Sequence, residues 1–203
     1  MDPMRLVTAN LFNDRAHARA VEELIDEVHP DVFCAQELGP AAAAVLQGGF
    51  RSGLVNPRSD CNGHALVARA DIQVELLDLP ARPGLVAVVL ADGVETVVMS
   101  IHLSNPIDGR RALHERRHQV DGVLARIDGL ERVVIVGDLN AASWWTSYRR
   151  LGSVLEDGVL ACKPGGNLYT VNALVPNARG EFLSGSSATL ALPRGMRRAI
   201  LVP

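Results

Sequence analysis

The chain has 203 residues, of which 48% are hydrophobic and 21% charged, and its formal net charge is −3 with a pI near 6.1. This length and composition predict one globular domain over residues 1–203 and exclude an intrinsically disordered chain. The slightly acidic charge argues against tight nonspecific binding of nucleic acid, which depends on many Lys and Arg contacts to phosphates.

The termini and the cysteines predict a cytoplasmic protein with reduced thiols. No run of eighteen uncharged apolar residues occurs, so no transmembrane segment is expected, and the start of the chain lacks the apolar stretch of a signal peptide. Cys34, Cys61 and Cys162 are odd in number and have no paired spacing, which favours neither a disulfide framework nor a zinc site.

Elements alternate between strand and helix in the first third of the chain. Met4 to Asn10 is a short apolar run that predicts a strand, and Asn13 or Asp14 is a plausible cap for the helix that follows. Pro30 ends that helix, because proline disfavours helical geometry in the preceding residue. Asp31 to Gln36 then predicts a buried strand.

The middle of the chain predicts an antiparallel meander after a short alanine-rich helix around residues 41–46. Gly, Pro and Asp turns separate its strand candidates. These are His64 to Arg69, Ile72 to Leu77, Leu85 to Leu90 and Glu95 to His102.

Helical periodicity returns from Arg110 to Ile127 and predicts a second long helix. Its apolar face is expected to hold Leu113, Val120, Val123, Leu124 and Ile127. Its other faces are expected to hold Arg116, Arg117 and Asp121.

The last third of the chain begins with the clearest buried strand. Arg132 to Gly137 is a nearly continuous β-branched run, as expected of a central strand covered on both faces. The pattern then weakens, with strand candidates at Leu168 to Leu174 and Arg198 to Val202. Strands and helices in this order predict an α/β sandwich of two packed sheets with outer helices.

Polar side chains follow the predicted strands where each strand ends. They are Asn10, Glu37, His102, Asp138 and Asn140. Because ligands in α/β sheets bind beyond strand ends, these residues predict one shared pocket. Asp138 and Asn140 are two positions apart, so in an extended chain both side chains point to the same side.

Four motifs in this order resemble the endonuclease/exonuclease/phosphatase superfamily: Asn10, PDVFCAQE (Pro30 to Glu37), SIHLSN (Ser100 to Asn105) and VGDLN (Val136 to Asn140). That superfamily includes pancreatic-type deoxyribonucleases, abasic-site endonucleases, inositol polyphosphate phosphatases and neutral sphingomyelinases. The resemblance covers the first three quarters of the chain. It implies a four-layered α/β sandwich with two mostly antiparallel sheets, and it leaves open whether the C-terminal strands are complete.

The resemblance also implies a role for each residue of the pocket. Glu37 would bind Mg²⁺ or Mn²⁺ with Asn10 beside it, and His102 would donate a hydrogen bond to the scissile phosphoryl oxygen. Asp138 would orient or deprotonate the attacking water, and Asn140 would bind a phosphate oxygen. The plainer alternatives are a surface Glu, turn-forming Asn and Asp residues, and a His satisfied at a strand end.

Three further residues are candidates for substrate binding. His64 begins one strand of the meander region and Arg69 ends it, so either could face the pocket, although such side chains are usually solvated. Trp144 follows Asn140 closely and could line a substrate cleft, with packing against the sheet as the alternative.

The family pattern breaks at the C-terminal end. The sequence contains no Ser-Asp-His, and Ala199 stands roughly where the family's R-I-D-H/Y motif has its acidic residue. Truncation, divergence or completion by another chain would each explain this. A missing closing strand would leave a sheet edge exposed, which predicts self-association.

Two functions remain open at this point, besides an accidental resemblance. The first is a divalent-metal-dependent phosphoesterase whose substrate is a nucleic acid, a nucleotide or a phospholipid head group. The second is a catalytically impaired member of the fold that binds a phosphorylated ligand or a protein. The retained pocket residues favour the first function, and the absent terminal motif favours the second.

Overall fold

The computed structural model of the chain describes residues 4–13, 15–91, 93–141, 144–157, 169–176, 182–191 and 198–201. Within them the helices are α1 (Ala18–Val28), α2 (Pro40–Gly49), α3 (Arg110–Ile127) and α4 (Thr146–Gly152), with a 3₁₀ helix at Pro106–Asp108. The strands are β1 (Arg5–Asn10), β2 (Val32–Gln36), β3 (Ser52–Asn56), β4 (His64–Ala68), β5 (Val74–Leu77), β6 (Gly84–Ala91), β7 (Val94–His102), β8 (Val133–Asp138), β9 (Glu156–Asp157), β10 (Tyr169–Pro176), β11 (Phe182–Ala191) and β12 (Arg198–Leu201).

The described strands form two six-stranded sheets. Sheet 1 has the order β10-β11-β1-β2-β4-β3 and sheet 2 the order β5-β6-β7-β8-β12-β9. In sheet 1 only β1 and β2 pair in parallel. Sheet 2 begins with the predicted antiparallel meander of β5, β6 and β7 and continues with parallel strands through β8, β12 and β9. Both sheets are therefore mixed. Sheet 1 is mostly antiparallel, as the resemblance implies, but sheet 2 has three parallel pairs and two antiparallel pairs. Helix α3 connects β7 to β8 as a crossover, which parallel neighbours require.

Three apolar clusters show how the sheets and helices stack. One lies between the sheets and joins residues such as Leu6 and Val32 of sheet 1 to Val134 and Val136 of sheet 2. The second packs α1 and α2 on the outer face of sheet 1, and the third packs α3 and α4 on the outer face of sheet 2. The predicted four-layered α/β sandwich is confirmed.

Strand β8 explains why its sequence is apolar without alternation. Val134 and Val136 face the cluster between the sheets, whereas Val133 and Ile135 face the cluster under α3. Because successive side chains of a strand point to opposite faces, a strand covered on both sides needs an apolar residue at every position.

Helix α3 has the predicted bounds, and Val120, Val123 and Ile127 are buried as predicted, but its buried face differs from the prediction at Leu113 and Arg116. Leu113 is 51% exposed, while Arg116 is only 4% exposed and Gln119 is fully buried. Hydrogen bonds make this burial tolerable. Arg116 Nη1 donates to the Ser104 carbonyl oxygen at 2.9 Å, and Gln119 Nε2 donates to that of Pro80 at 2.8 Å.

Helix α1 begins later than predicted. It starts at Ala18, after His17, and the predicted cap Asn13 instead lies in a turn with φ of 54°. Asn13 Nδ2 donates to the Ser59 carbonyl oxygen at 3.0 Å, which commits its side chain to another loop. The other predicted cap, Asp14, lies outside the described residues.

Strands β3, β9 and β11 and helix α4 were not predicted. The two C-terminal candidates occur as β10 and β12, although Leu168 and Val202 lie outside the described residues.

Strand β12 pairs on both sides, with β8 and β9, and is not a sheet edge. Among the described strands the outer positions belong to β3, β5, β9 and β10. Self-association through an edge strand stays a prediction.

Free thiols occur at Cys34 and Cys61, and Cys162 lies outside the described residues. Burial raises the pKa of Cys34 to about 12, against a smaller opposing effect of its hydrogen bond with Ser100.

Because the thiolate is the nucleophile, iodoacetamide at pH 8 should alkylate exposed Cys61 in the folded protein and leave Cys34 unmodified until the chain unfolds. Peptide mass spectrometry reads each site, and similar labelling of both would contradict the burial of Cys34.

Among the helices of the described residues, none combines the length and apolarity needed to cross a bilayer.

Candidate active site

Two parallel strand pairs, one in each sheet, bring the predicted polar residues to one edge. In sheet 1 Asn10 pairs with Gln36, so Glu37 follows directly beside the end of β1. In sheet 2 His102 pairs with Asp138. Parallel strands end at the same edge, and the face-to-face packing of the sheets places these two edges together.

The side chain of Asn10 joins the two sheets. Its Nδ2 donates to Asp138 Oδ2 at 2.9 Å and to Glu37 Oε1 at 3.2 Å. Its Oδ1 accepts a hydrogen bond from the Phe12 backbone N–H at 3.0 Å, which orients the amide. Asn10 therefore holds the two carboxylates together by donating to both. That it contacts a metal stays a prediction.

The residues after β2 and β8 turn sharply. Glu37 and Asn140 have φ values of 51° and 46°, in the left-handed region that residues other than glycine seldom occupy. The Asn140 backbone N–H donates to Asp138 Oδ1 at 2.7 Å, and Asn140 Nδ2 donates to the Leu103 carbonyl oxygen at 2.9 Å. Strained backbone at the point where two carboxylates converge is typical of functional sites.

Arg82 joins this cluster without having been predicted. It lies in the turn between β5 and β6, and its guanidinium donates to Nε2 of His102. A single arginine in a Pro-rich turn carries no motif, so the sequence offers no signal for it. The tertiary contact alone identifies Arg82 as a residue of the site.

The imidazole of His102 is neutral. Burial and, to a smaller extent, the positive charge of Arg82 lower its pKa to about 4, against an opposing effect of the negative charge of Asp138. His102 Nε2 lies 3.7 Å from Glu37 Oε1 and 3.9 Å from Asp138 Oδ2. These contacts are not ion pairs, because a neutral ring that accepts from Arg82 carries no charge at Nε2.

Buried polar side chains support the site from beneath. Gln36 Nε2 donates to Ser100 Oγ at 3.2 Å, which links β2 of sheet 1 to β7 of sheet 2. Thr8 lies 3.3 Å from the same amide group. A hydrogen-bonded link between the sheets restricts their sliding and keeps the ends of β2 and β7 in place.

His64 lies near the cluster, whereas Arg69 does not. His64 and His102 border the same narrow cavity of about 10 Å³, together with Arg82. Arg69 follows the other end of β4, roughly 16 Å along the strand, where its Nε donates to the Pro30 carbonyl oxygen at 2.9 Å. Its guanidinium also stacks over the Phe50 ring at 5.6 Å, so its role is structural.

Trp144 lies beside a larger cleft of about 530 Å³ between α3 and α4. Its side chain is 75% exposed, so it does not pack against the sheet. The Arg116 guanidinium borders this cleft and donates to the carbonyl oxygen of Ser104, two residues after His102. The structure thus puts Trp144 in a cleft next to the cluster and not within it.

Ala199 does not lie at the edge where the carboxylates meet. It pairs with Val134, four residues before Asp138 on the parallel strand β8, which is roughly 13 Å away along the strand. The backbone thus separates Ala199 from the position that an acidic partner of Asp138 would need.

The donor set at this edge fits a hard divalent cation. Two carboxylates share one amide donor, and oxygen ligands of this kind suit Mg²⁺ or Mn²⁺. Within the part of the chain that the structure describes, no three His, Cys, Asp or Glu side chains form a ready metal cage. Magnesium does not require one, since it keeps several waters and takes one or two protein carboxylates.

Comparison with known proteins gives a family match along almost the whole chain. The model of the Endonuclease/Exonuclease/phosphatase family matches residues 7–199, which extends past the motifs that suggested it into the C-terminal strands. No curated protein sequence resembles the chain closely enough to count as a match.

Solved structures share the fold at low sequence identity. Humanized TDP2 of D. rerio, with 14 mutations, has a TM-score of 0.64 and 19% identity over 92% of this chain and 96% of its own. An AP endonuclease from Archaeoglobus fulgidus has a TM-score of 0.64 and 15% identity over 92% and 86%. The catalytic domain of human Nocturnin has a TM-score of 0.57 and 15% identity over 93% and 84%.

Proposed function

The chain belongs to the endonuclease/exonuclease/phosphatase family, and from that premise we propose that it is a divalent-metal-dependent phosphoesterase that hydrolyses a P–O bond with activated water. Family membership supports a phosphoesterase or nuclease type of function in general. The observation that carries the finer proposal is the hydrogen-bonded group of Glu37, Asn10 and Asp138 across the two sheets.

Glu37 and Asp138 are the residues that would hold Mg²⁺ or Mn²⁺, with Asn10 positioning both carboxylates. When bound, such an ion offsets the negative charge that develops on the phosphoryl oxygens. Asp138 orients the attacking water and accepts its proton. The hydrogen bonds from Asn140 to Oδ1 and from Asn10 to Oδ2 hold this carboxylate in one orientation.

Three side chains are left to donate hydrogen bonds to the phosphate: Arg82, Asn140 and His64. Arg82 supplies a fixed positive charge at the phosphoryl oxygens, and neutral His102 holds its guanidinium in place. One N–H of the Asn140 amide donates to Leu103, and the second is available to a phosphate oxygen. His64, beside the same cavity, extends this surface, whereas Trp144 contacts a more distant part of the substrate.

One alternative is a member of the fold that binds a phosphorylated ligand or a protein without hydrolysis. Losing a group that stabilises the transition state commonly costs about two to three orders of magnitude in rate. The proposed enzyme relies on Arg82 for part of this stabilisation. A cytoplasmic location also belongs to the proposal.

Hydrolysis of bis-p-nitrophenyl phosphate with Mg²⁺, Mn²⁺ or EDTA tests the proposal. We expect metal-dependent turnover that Glu37→Gln lowers by about 100-fold or more, since the amide removes a charged metal ligand. Binding of Mn²⁺, followed by its electron paramagnetic resonance signal, should weaken in parallel.

The matched control is Glu75→Gln, which alters an exposed glutamate on β5 and should change neither readout. Turnover that persists in EDTA would contradict metal dependence. Mn²⁺ binding without any turnover above background would favour the ligand-binding alternative.

A further inference from the structure

The cleft between α3 and α4 has a composition that the hydrolytic site does not explain. It measures about 530 Å³, within the range of small-molecule sites, and its lining includes three arginines and two tryptophans: Arg116, Arg117, Arg150, Trp144 and Trp145. Among the described residues that line it there is no Asp or Glu. The cleft therefore suits a ligand that is both anionic and aromatic.

The two tryptophans present different surfaces to this cleft. Trp145 is half-buried and its ring lies under the Arg116 guanidinium, 5.8 Å from Cζ to the ring centroid. Trp144 is 75% exposed beside it. An exposed indole next to an ordered cation–aromatic pair offers a flat face on which a planar ring can stack.

The arginines differ in how far their charge is compensated. Arg150 Nη2 pairs with Asp121 Oδ1 at 2.6 Å, and Arg116 donates to the neutral groups Ser104 O and Ser147 Oγ. Within the described part of the chain, Arg117 is exposed and has no ion pair. The lining thus keeps excess positive charge, which attracts a phosphate-containing ligand.

Arg116 connects the cleft to the hydrolytic site. Its guanidinium is held between Ser104, two residues after His102 of β7, and Ser147 of α4. The end of β7 therefore adjoins the cleft, so a substrate bound at the hydrolytic site would have the cleft beside it.

We propose that the cleft binds a nucleobase, which makes nucleotide phosphodiesters the substrate class of this protein. The proposal rests on the phosphoesterase function for the position of the phosphate. A phospholipid head group or an inositol phosphate would satisfy the arginines, but neither has a planar aromatic ring that could stack on Trp144. Base stacking on an aromatic side chain tolerates any base, so the expected preference is for nucleotides of any sequence.

Intrinsic fluorescence tests this directly, because the chain has only two tryptophans and both line the cleft. The protein is titrated in EDTA, which prevents turnover, with deoxyadenylyl-(3′→5′)-deoxyadenosine or with glycerophosphoinositol. The two ligands carry the same single phosphodiester charge, and only the first has bases. We expect saturable quenching by the dinucleotide alone.

Trp144→Ala should raise the Kd of the dinucleotide roughly 5- to 100-fold, with Trp145 as the remaining reporter. The control Leu90→Ala removes an apolar side chain that is 67% exposed on β6, and it should leave the Kd unchanged. The comparison of the two ligands on the unaltered protein decides the question even where a variant does not fold.

Equal quenching by glycerophosphoinositol, no quenching by the dinucleotide, or an unchanged Kd in Trp144→Ala would overturn the nucleobase proposal. Hydrolysis of bis-p-nitrophenyl phosphate is scored separately. Turnover without selective quenching leaves the phosphoesterase standing and removes the nucleobase site. Selective quenching without turnover leaves the nucleobase site standing and removes the phosphoesterase, so the protein would bind nucleotides without hydrolysing them.

Discussion

Replacing Asp138 with asparagine is expected to lower kcat for a phosphodiester by about three orders of magnitude, within the range that loss of a general base costs. The change removes the group that accepts the proton of water. It also places an NH₂ group where Oδ2 accepts from Asn10 Nδ2 at 2.9 Å, so two donors would face each other and Glu37 would lose its positioned neighbour. Steady-state kinetics with bis-p-nitrophenyl phosphate measures the loss.

Asp71→Asn is the matched control for this experiment. Asp71 is an exposed carboxylate that pairs with Arg51 at 2.7 Å, at the end of β3 and β4 far from the site. An exposed ion pair contributes about 0–1 kcal/mol, so the control should keep wild-type kcat and near wild-type stability. If Asp138→Asn kept a tenth or more of wild-type turnover, Asp138 would not be the group that activates water.

Replacing Gly137 with alanine is expected to lower the free energy of unfolding by about 3 kcal/mol or more. Gly137 has a φ of 123°, and a Cβ there would lie 1.9 Å from the Ile101 carbonyl oxygen. The new Cβ would thus meet backbone that is fixed by strand pairing, because Ile101 lies opposite Gly137 in the β7–β8 ladder. Neither strand can move without separating His102 from Asp138 at the next position, so turnover should fall as well.

Urea denaturation of Gly137→Ala measures this change in stability. The control is Gly48→Ala in α2, where a Cβ would meet nothing within 4 Å. Alanine is favoured over glycine in a helix by about 0.5–1 kcal/mol, so the control should unfold at a slightly higher urea concentration than the wild type. An unchanged midpoint for Gly137→Ala would contradict the close approach of β7 and β8.

Helix α3 shows how far periodicity predicts local structure. Its bounds, Arg110–Ile127, agree with the sequence prediction because a long run at helical spacing is a strong local signal. Its buried face agrees at Val120, Val123 and Ile127 but not at two other positions, since Leu113 is exposed and Arg116 is buried. The carbonyl of Ser104 and the hydroxyl of Ser147 make that burial favourable, and these partners are distant along the chain.

The candidate site likewise contains residues that the sequence predicts and contacts that only the tertiary structure shows. Motifs identify Glu37 and Asp138 because each follows a run of buried apolar residues, and strand ends are where polar side chains meet. Arg82 has no such signal, and its place beside His102 depends on a turn from another part of sheet 2. The sequence likewise does not reveal that Asn10 binds both carboxylates, because this contact spans the two sheets.

By itself, the sequence determined most of the strands and helices in their order, the α/β class and, through its motifs, the resemblance to the family, since buried strands, helical periodicity and short motifs are local patterns. Only the tertiary structure decided which charges are neutralised, that Arg116 of α3 is buried, and which arginines lie beside His102 and at the cleft. The physical reason is that burial, hydrogen-bond pairing and electrostatic proximity depend on residues far apart in sequence. These become neighbours only when the two sheets pack.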